Sequence, residues 1–148
     1  MSIVSTRKQS PKSGLTAAFK FMDKKGVAMN NKILGNQGEQ AAADYLVQHG
    51  YCIRMRNFRV PAGEIDIIAS QPGLIVFVEV KTRRCLRCGT PAQAVTYCKQ
   101  QKIIQTARWY LRQGHLEEKC LCRFDVIEVY ARPEGDWEIR HIPGAFET

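Results

Sequence analysis

The sequence lacks any long hydrophobic run: its longest uninterrupted apolar stretch, Leu74 to Val78, is far too short to cross a bilayer. No membrane partner is expected. A secretory signal needs an apolar stretch of roughly seven or more residues near the start, and none is present. This points to a cytoplasmic protein whose six cysteines are reduced thiols. There is no phosphate-cradling glycine loop either. Gly35 and Gly38 lack the rest of any nucleotide-binding fingerprint. Internal repeats and low-complexity tracts are absent, which excludes solenoid and fibrous classes. With 45% hydrophobic and 24% charged residues in 148, the chain has the apolar content for one ordinary core and no room for two domains.

What the chain does have is charge, unevenly placed. The formal net charge is +8. Residues 1–32 carry seven bases against one acid, Asp23, and residues 33–53 carry two acids and no base. Residues 54–112 carry eleven bases against three acids, and residues 113–148 reverse the balance with eight acids and four bases. A polyanionic partner is expected to meet the strongly basic middle. The basic first 32 residues, rich in Ser, Thr, Lys and Gly and broken by Pro11 and Gly14, read as a disordered extension preceding a domain over 33–148. Met29, just before the first organised segment, is an alternative initiator.

Periodicity gives the element order α-β-β-β-α-β-β. The first helix is expected over Gly35–Gln48, capped by Asn36. Its apolar stripe of Ala42, Ala43 and Leu46 includes an acid, Glu39. Strands follow over Tyr51–Val60, Glu64–Ala69 and Leu74–Lys81, with turns at Pro61-Ala62-Gly63 and Gln71-Pro72-Gly73. The third of these is apolar on both faces and belongs at the centre of the sheet. A second helix is expected from Pro91 to Gln113 with Thr90 as cap, its inward face holding Gln93, Tyr97, Ile103, Ile104, Ala107 and Leu111. Trp109, Lys102, Arg108 and Arg112 fall outside that face. Strands over Arg123–Tyr130 and Trp137–Ile142 complete the chain.

Strict alternation puts Glu64 and Asp66 on one face of the second strand, and Glu79 and Lys81 on one face of the third. Charges at the end of the most buried strand need an explanation. Carboxylates converging across a hairpin repel one another, and a divalent cation relieves that repulsion. Such a cluster suits metal-assisted hydrolysis of phosphodiesters. The ion polarises a phosphoryl oxygen, and a lysine two residues from a ligand steadies the developing negative charge. A plain Glu79–Lys81 salt bridge is the alternative for that pair alone.

These residues carry a resemblance. Gly63-Glu64-Ile65-Asp66-Ile67-Ile68, followed by Glu79-Val80-Lys81, is similar to the PD-(D/E)XK nuclease signature. With Gly35-Asn36-Gln37-Gly38-Glu39, Arg56-Asn57-Phe58-Arg59, Val76 to Arg83, Arg123-Phe124-Asp125-Val126 and the segment from His141-Ile142 to Phe146, the chain from about Gly35 onward resembles the YraN-like bacterial family. The resemblance implies a restriction-endonuclease-like α/β fold, a central mixed sheet flanked by helices, beside the Holliday junction resolvases. It implies Asp66 and Glu79 as ligands of Mg²⁺ or Mn²⁺, with the Val80 carbonyl as a third. Lys81 becomes the catalytic lysine and Glu39 a further acid of the site. Glu64 either joins the ligands or holds its hairpin turn. Gln93 and Tyr97 echo a Gln-x-x-x-Tyr element of one nuclease branch, or are simply a helix-start and a core residue.

On this reading the partner is DNA or another nucleic acid, with branched or structured DNA as the substrate. Arg83, Arg84 and Arg87, just beyond Lys81, together with Lys99, Arg54 and Arg56, are the expected phosphate contacts. Alternation places Arg54 and Arg56 on one face and Arg59 on the other. Two-stranded substrates suit a homodimer. The competing readings are a non-catalytic nucleic-acid-binding module with a residual metal site, and a protein-interaction domain using the acidic C-terminal third and Trp109. Cys85-x-x-Cys88 and Cys120-x-Cys122 are poorly spaced for zinc, which is not expected. Asp125 is expected to act within the sheet or to support an arginine. His49, His115 and His141 read as ordinary surface residues.

Overall fold

The computed structural model describes residues 2–4, 31–84, 95–132 and 135–148. Its elements are β1 (Ser2–Val4), α1 (Asn31–Gln48), β2 (Cys52–Val60), β3 (Gly63–Gln71), β4 (Leu74–Arg83), α2 (Tyr97–Gln113), β5 (Leu121–Ala131) and β6 (Trp137–Phe146). From α1 onward this is the expected α-β-β-β-α-β-β order. The sheet order is β1-β6-β5-β4-β3-β2, so β4 is central as its two apolar faces require. The three-residue β1 adds an edge beside β6. β4 and β5 pair in parallel and all other neighbours antiparallel, which makes the sheet mixed. A parallel neighbour cannot be reached by a tight turn, and α2 lies within the crossover that reaches it.

Each face of β4 builds its own core. Val76, Val78 and Val80 pack beneath α1 with Ala42, Ala43, Tyr45 and Leu46. Ile75 and Phe77 pack beneath α2 with Ile103, Ile104 and Ala107. Each Val, Leu, Ile or Phe side chain so buried contributes roughly 1.5–3 kcal/mol. Trp109 is exposed, as are Lys102, Arg108 and Arg112, in keeping with their position off the inward face.

Three boundaries differ from the sequence expectation by more than two residues. Helix α1 starts at Asn31, so Asn36 is an exposed interior residue and not its cap; Asn31 and Lys32, like Ser2–Val4 of β1, lie in regular elements although they belong to the expected extension. Leu34 is buried one turn before Gly38 and carries the stripe through Gly35, outweighing the low helix propensity of glycine. Helix α2 starts at Tyr97 with Thr96 as N-cap, its side chain accepting from the Lys99 N–H. Tyr97 is consequently 72% exposed and not inward. The expected cap Thr90, and Pro91 and Gln93, lie outside the described residues, as do Met29, Cys85, Arg87 and Cys88.

The third difference is in β6, which passes through Pro143-Gly144 to Phe146. The register between β5 and β6 shifts at Asp125, and Gly144 at φ +60° donates its N–H to the Asp125 carboxylate. A carboxylate thus accepts the bond that an interrupted ladder leaves over. His141 is part of this arrangement and is buried, contrary to the surface reading, because its Nε2 lies 2.7 Å from Asp125 Oδ2. His49 and His115 are exposed.

Candidate active site

The site forms where β3 and β4 part. Their register runs from Gln71↔Leu74 at the turn to Ile67↔Val78. One step further, the Asp66 side chain and not a β3 carbonyl accepts the Val80 N–H, at 2.8 Å. Strict alternation also fails here: Ile65 and Ile68 belong to the core beneath α2, whereas Ile67 belongs to the core beneath α1. The matching irregularity in β2 is Asn57, which sits between the partner pairs Arg56↔Ile67 and Phe58↔Ile65 at φ +51°. A left-handed backbone is tolerated by asparagine better than by most residues. The Asp66 carboxylate faces β4, where it meets the Val80 N–H.

Glu79 is 3% exposed, on a strand otherwise filled with aliphatic side chains. Lys81 Nζ lies 2.8 Å from its Oε1, and Lys99 Nζ reaches in from the first turn of α2 to 3.3 Å from its Oε2. That second contact pairs the charges without the alignment of a hydrogen bond, so Glu79 Oε2 accepts none. Asp66 is pushed up to about 7, first by burial and then by the negative charge of Glu79; Glu39 adds to this, while the Val80 N–H and Lys99 oppose it. Two acids that cannot comfortably both be charged, one with an unsatisfied buried oxygen, form a cation-seeking pair.

Glu39 enters from α1, half-buried, and accepts from Asn57 Nδ2 at 3.2 Å. What brings α1 so close is Gly38. A Cβ there would stand 1.9 Å from Thr82 Oγ1, so no other residue allows this approach to β4 unless the backbone shifts. Beside it an open cleft of ≈ 390 Å³ is lined by Asn31, Leu34, Gly35, Glu39, Val80, Thr82 and Arg84.

The remaining expected residues scatter. Glu64 engages Arg59 at 3.0 Å on the surface, and the broken alternation takes it off the shared face expected with Asp66. The register shift between Ile53 and Met55 likewise separates Arg54 from Arg56. Arg54 reaches Ser70 at 2.9 Å, whereas Arg56 reaches Gln40 on α1 at 2.7 Å. Arg84 donates to Asn31 at 3.1 Å. Arg83 turns inward, 3.6 Å from the buried Glu128, which also accepts from Tyr130 at 2.8 Å. Glu128 is level with Lys81 on the neighbouring strand. Sequence reasoning passed over Glu128 and Asn57, whose only local signals are an acid within an apolar strand and an asparagine within a strand.

Asp125 supports Arg123, as expected. Arg123 Nε and Nη2 donate to its two oxygens, at 2.7 and 2.8 Å, and Nη2 also donates to Tyr51 Oη at 2.8 Å. Burial raises the Asp125 carboxyl, but the bonds from His141, Arg123 and Gly144 hold it below the usual carboxylate range.

For a metal, the donor set matters more than any preformed cage. Among the described residues no three His, Cys, Asp or Glu side chains are gathered in ligating geometry. Asp66 and Glu79 nevertheless fit Mg²⁺ or Mn²⁺, because such ions need one or two carboxylates and keep several waters, and because Glu79 Oε2 lacks a hydrogen-bond donor. Of the cysteines, Cys52, Cys98, Cys120 and Cys122 are free thiols. Cys122 is pushed up to about 11, mainly by burial and then by Cys120, and stays protonated at neutral pH.

A family model described as Uncharacterised protein family UPF0102 matches residues 38–129. The chain belongs to the UPF0102 family. It is 48% identical over 122 residues to a UPF0102 protein of Trichlorobacter lovleyi, covering 82% of this chain and 95% of the relative. It is 51% identical over 116 residues to one of Symbiobacterium thermophilum, covering 78% and 97%. A relative from Caldicellulosiruptor saccharolyticus is 44% identical over 119 residues, covering 80% and 100%. The UPF0102 match opens at Gly38 and closes at Val129, so it spans Glu39, Asn57, Asp66, Glu79, Lys81, Lys99 and Glu128.

Proposed function

We propose that this UPF0102 protein is a divalent-metal-dependent nuclease that hydrolyses phosphodiester bonds in DNA, with branched or structured DNA as the substrate. The observation that carries the reading is Glu79: a buried acid gripped by two lysines across from an Asp66 carboxyl pushed up to about 7. A structural acid is normally satisfied by hydrogen bonds, as Asp125 is. Glu79 is not.

Asp66, Glu79 and the Val80 carbonyl would hold Mg²⁺ or Mn²⁺. Once bound, the ion polarises a phosphoryl oxygen and lowers the pKa of a coordinated water. Lys81 is held by Glu79 and presents its ammonium group where negative charge develops on the phosphorus oxygens. Glu39, kept close by Gly38 and oriented by Asn57, accepts a proton or fixes a water on the α1 side. Surface bases of the middle third supply sequence-independent affinity for the phosphate backbone.

The deciding experiment is cleavage of a panel of duplex, single-stranded, flap and four-way DNA with Mg²⁺ or Mn²⁺. Activity lost in both Asp66→Ala and Lys81→Ala supports the enzyme. Binding without cleavage under any metal turns the reading to a non-catalytic module. Neither binding nor cleavage at low salt turns it to a protein-interaction domain.

A further inference from the structure

Lys99 stands in an unusual place for a lysine. It is the third residue of α2, after the Thr96 cap and two residues that carry no charge. The N-terminal turn of a helix is electropositive, and acids are favoured there, the third position above all. A cation at that position opposes the helix dipole. Helix stability therefore does not account for it, and its side chain does not turn out to solvent. It turns in to Glu79, where it comes within 3.3 Å of the one carboxylate oxygen that accepts no hydrogen bond.

The other oxygen of Glu79 belongs to Lys81, fixed two residues along the same strand. The two cations are not equivalent. Lys81 is tied to the carboxylate by a 2.8 Å hydrogen bond. Lys99 makes only a charge contact at 3.3 Å, and the two side chains are comparably exposed. A divalent cation coordinated by Glu79 repels both ammonium groups. Lys99 is the one whose grip is weaker.

We propose that Lys99 is an internal cation that occupies the metal's electrostatic place on Glu79, yields it when the metal binds, and then pairs with a phosphate of the nucleic acid. The inference rests on the metal-dependent nuclease reading. It makes metal and DNA binding cooperative through one side chain. In the metal-free protein Lys99 is held by Glu79 and unavailable to DNA. In the metal-loaded protein it is released to an incoming anion, and the DNA in turn removes a charge that opposes the metal.

The test measures Mn²⁺ binding by titration calorimetry on the full chain without DNA, for wild type, Lys99→Met, Lys99→Arg and Asp66→Ala. The expected result is Mn²⁺ affinity about tenfold higher in Lys99→Met, close to wild type in Lys99→Arg, and lost in Asp66→Ala. Duplex DNA binding is then measured across salt concentrations with and without Ca²⁺. Lys99→Met is expected to reduce the salt slope by about one with Ca²⁺ and to leave it unchanged without.

Lys99→Arg reports on folding, since it keeps the charge and the length of the stem. Unchanged or weaker Mn²⁺ affinity in Lys99→Met, while Asp66→Ala still abolishes binding, overturns the inference and leaves the nuclease reading standing. An equal loss of salt slope with and without Ca²⁺ also overturns it, making Lys99 a permanent phosphate contact. Absence of Mn²⁺ binding in every variant, together with absence of cleavage, overturns both.

Discussion

Two acids of the same sheet, Asp125 and Glu79, are equally hidden from water and chemically opposite. Asp125 is fully buried on β5, with a bidentate arginine, a histidine and a backbone N–H around it. Those donors hold its carboxyl below the usual range in spite of burial. Glu79 on β4 has two lysines, one aligned and one not, and its neighbour Asp66 is pushed up to about 7. Burial alone does not mark function. A buried acid whose bonds are complete fixes the fold, and one whose bonds are incomplete is open to a ligand.

The largest expected effect breaks the complete side of the comparison. Asp125→Ala leaves Arg123 and the Gly144 N–H without their acceptor and should cost about 3–5 kcal/mol, read as a fall in urea midpoint. Next comes the incomplete side. Asp66→Ala and Lys81→Ala should each lower metal-dependent cleavage by about 10²-fold or more, measured on variants whose far-UV circular dichroism matches wild type.

A third effect lies in pH. The Asp66 carboxyl is raised from 3.8 to about 7, so its ionisation destabilises the metal-free fold progressively over that interval. Asp125 is lowered, so its contribution is present above about pH 4 and lost as pH falls through its folded value. The two acids thus act in opposite directions. Asp66→Asn should remove the loss between about pH 4 and 7 and leave the metal-free protein roughly 1–2 kcal/mol more stable at pH 8, measured by denaturation at a series of pH values. The smallest effect provides the baseline. Arg59→Ala breaks the exposed pair with Glu64 and should change stability by no more than about 0.5 kcal/mol, fading with salt.

Much of this was legible along the chain. The two apolar faces of Leu74–Val80 place β4 at the centre whatever its neighbours are, because burial on both sides leaves no alternative. The Asp66 and Glu79-x-Lys81 spacing picked out acids and a lysine that the fold brings together, and helical periodicity turned Glu39 inward. Thr96 was obscured by Thr90-Pro91, a stronger helix-start pattern in sequence than a threonine standing alone. Asn57 was obscured because a single left-handed residue has no period. Alternation mispredicted the faces of Arg54 and Glu64 for separate reasons, the register shift between Ile53 and Met55 and the break in alternation between Ile65 and Ile67, since each irregularity reverses the side chains beyond it.

The sequence by itself determined the element order, the central strand and the residues able to do chemistry, since these follow from period, capping and residue type. Only the tertiary structure decided which charges meet. The parallel pairing of β4 with β5 sets Glu128 beside Lys81 across 46 intervening positions. The packing of α2 against the sheet carries Lys99 to Glu79, and the close approach of Gly38 to Thr82 brings Glu39 toward Asp66. Local pattern fixes the direction of a side chain from its own strand or helix. The partner it finds depends on contacts between distant segments, and those are settled by how the two cores pack.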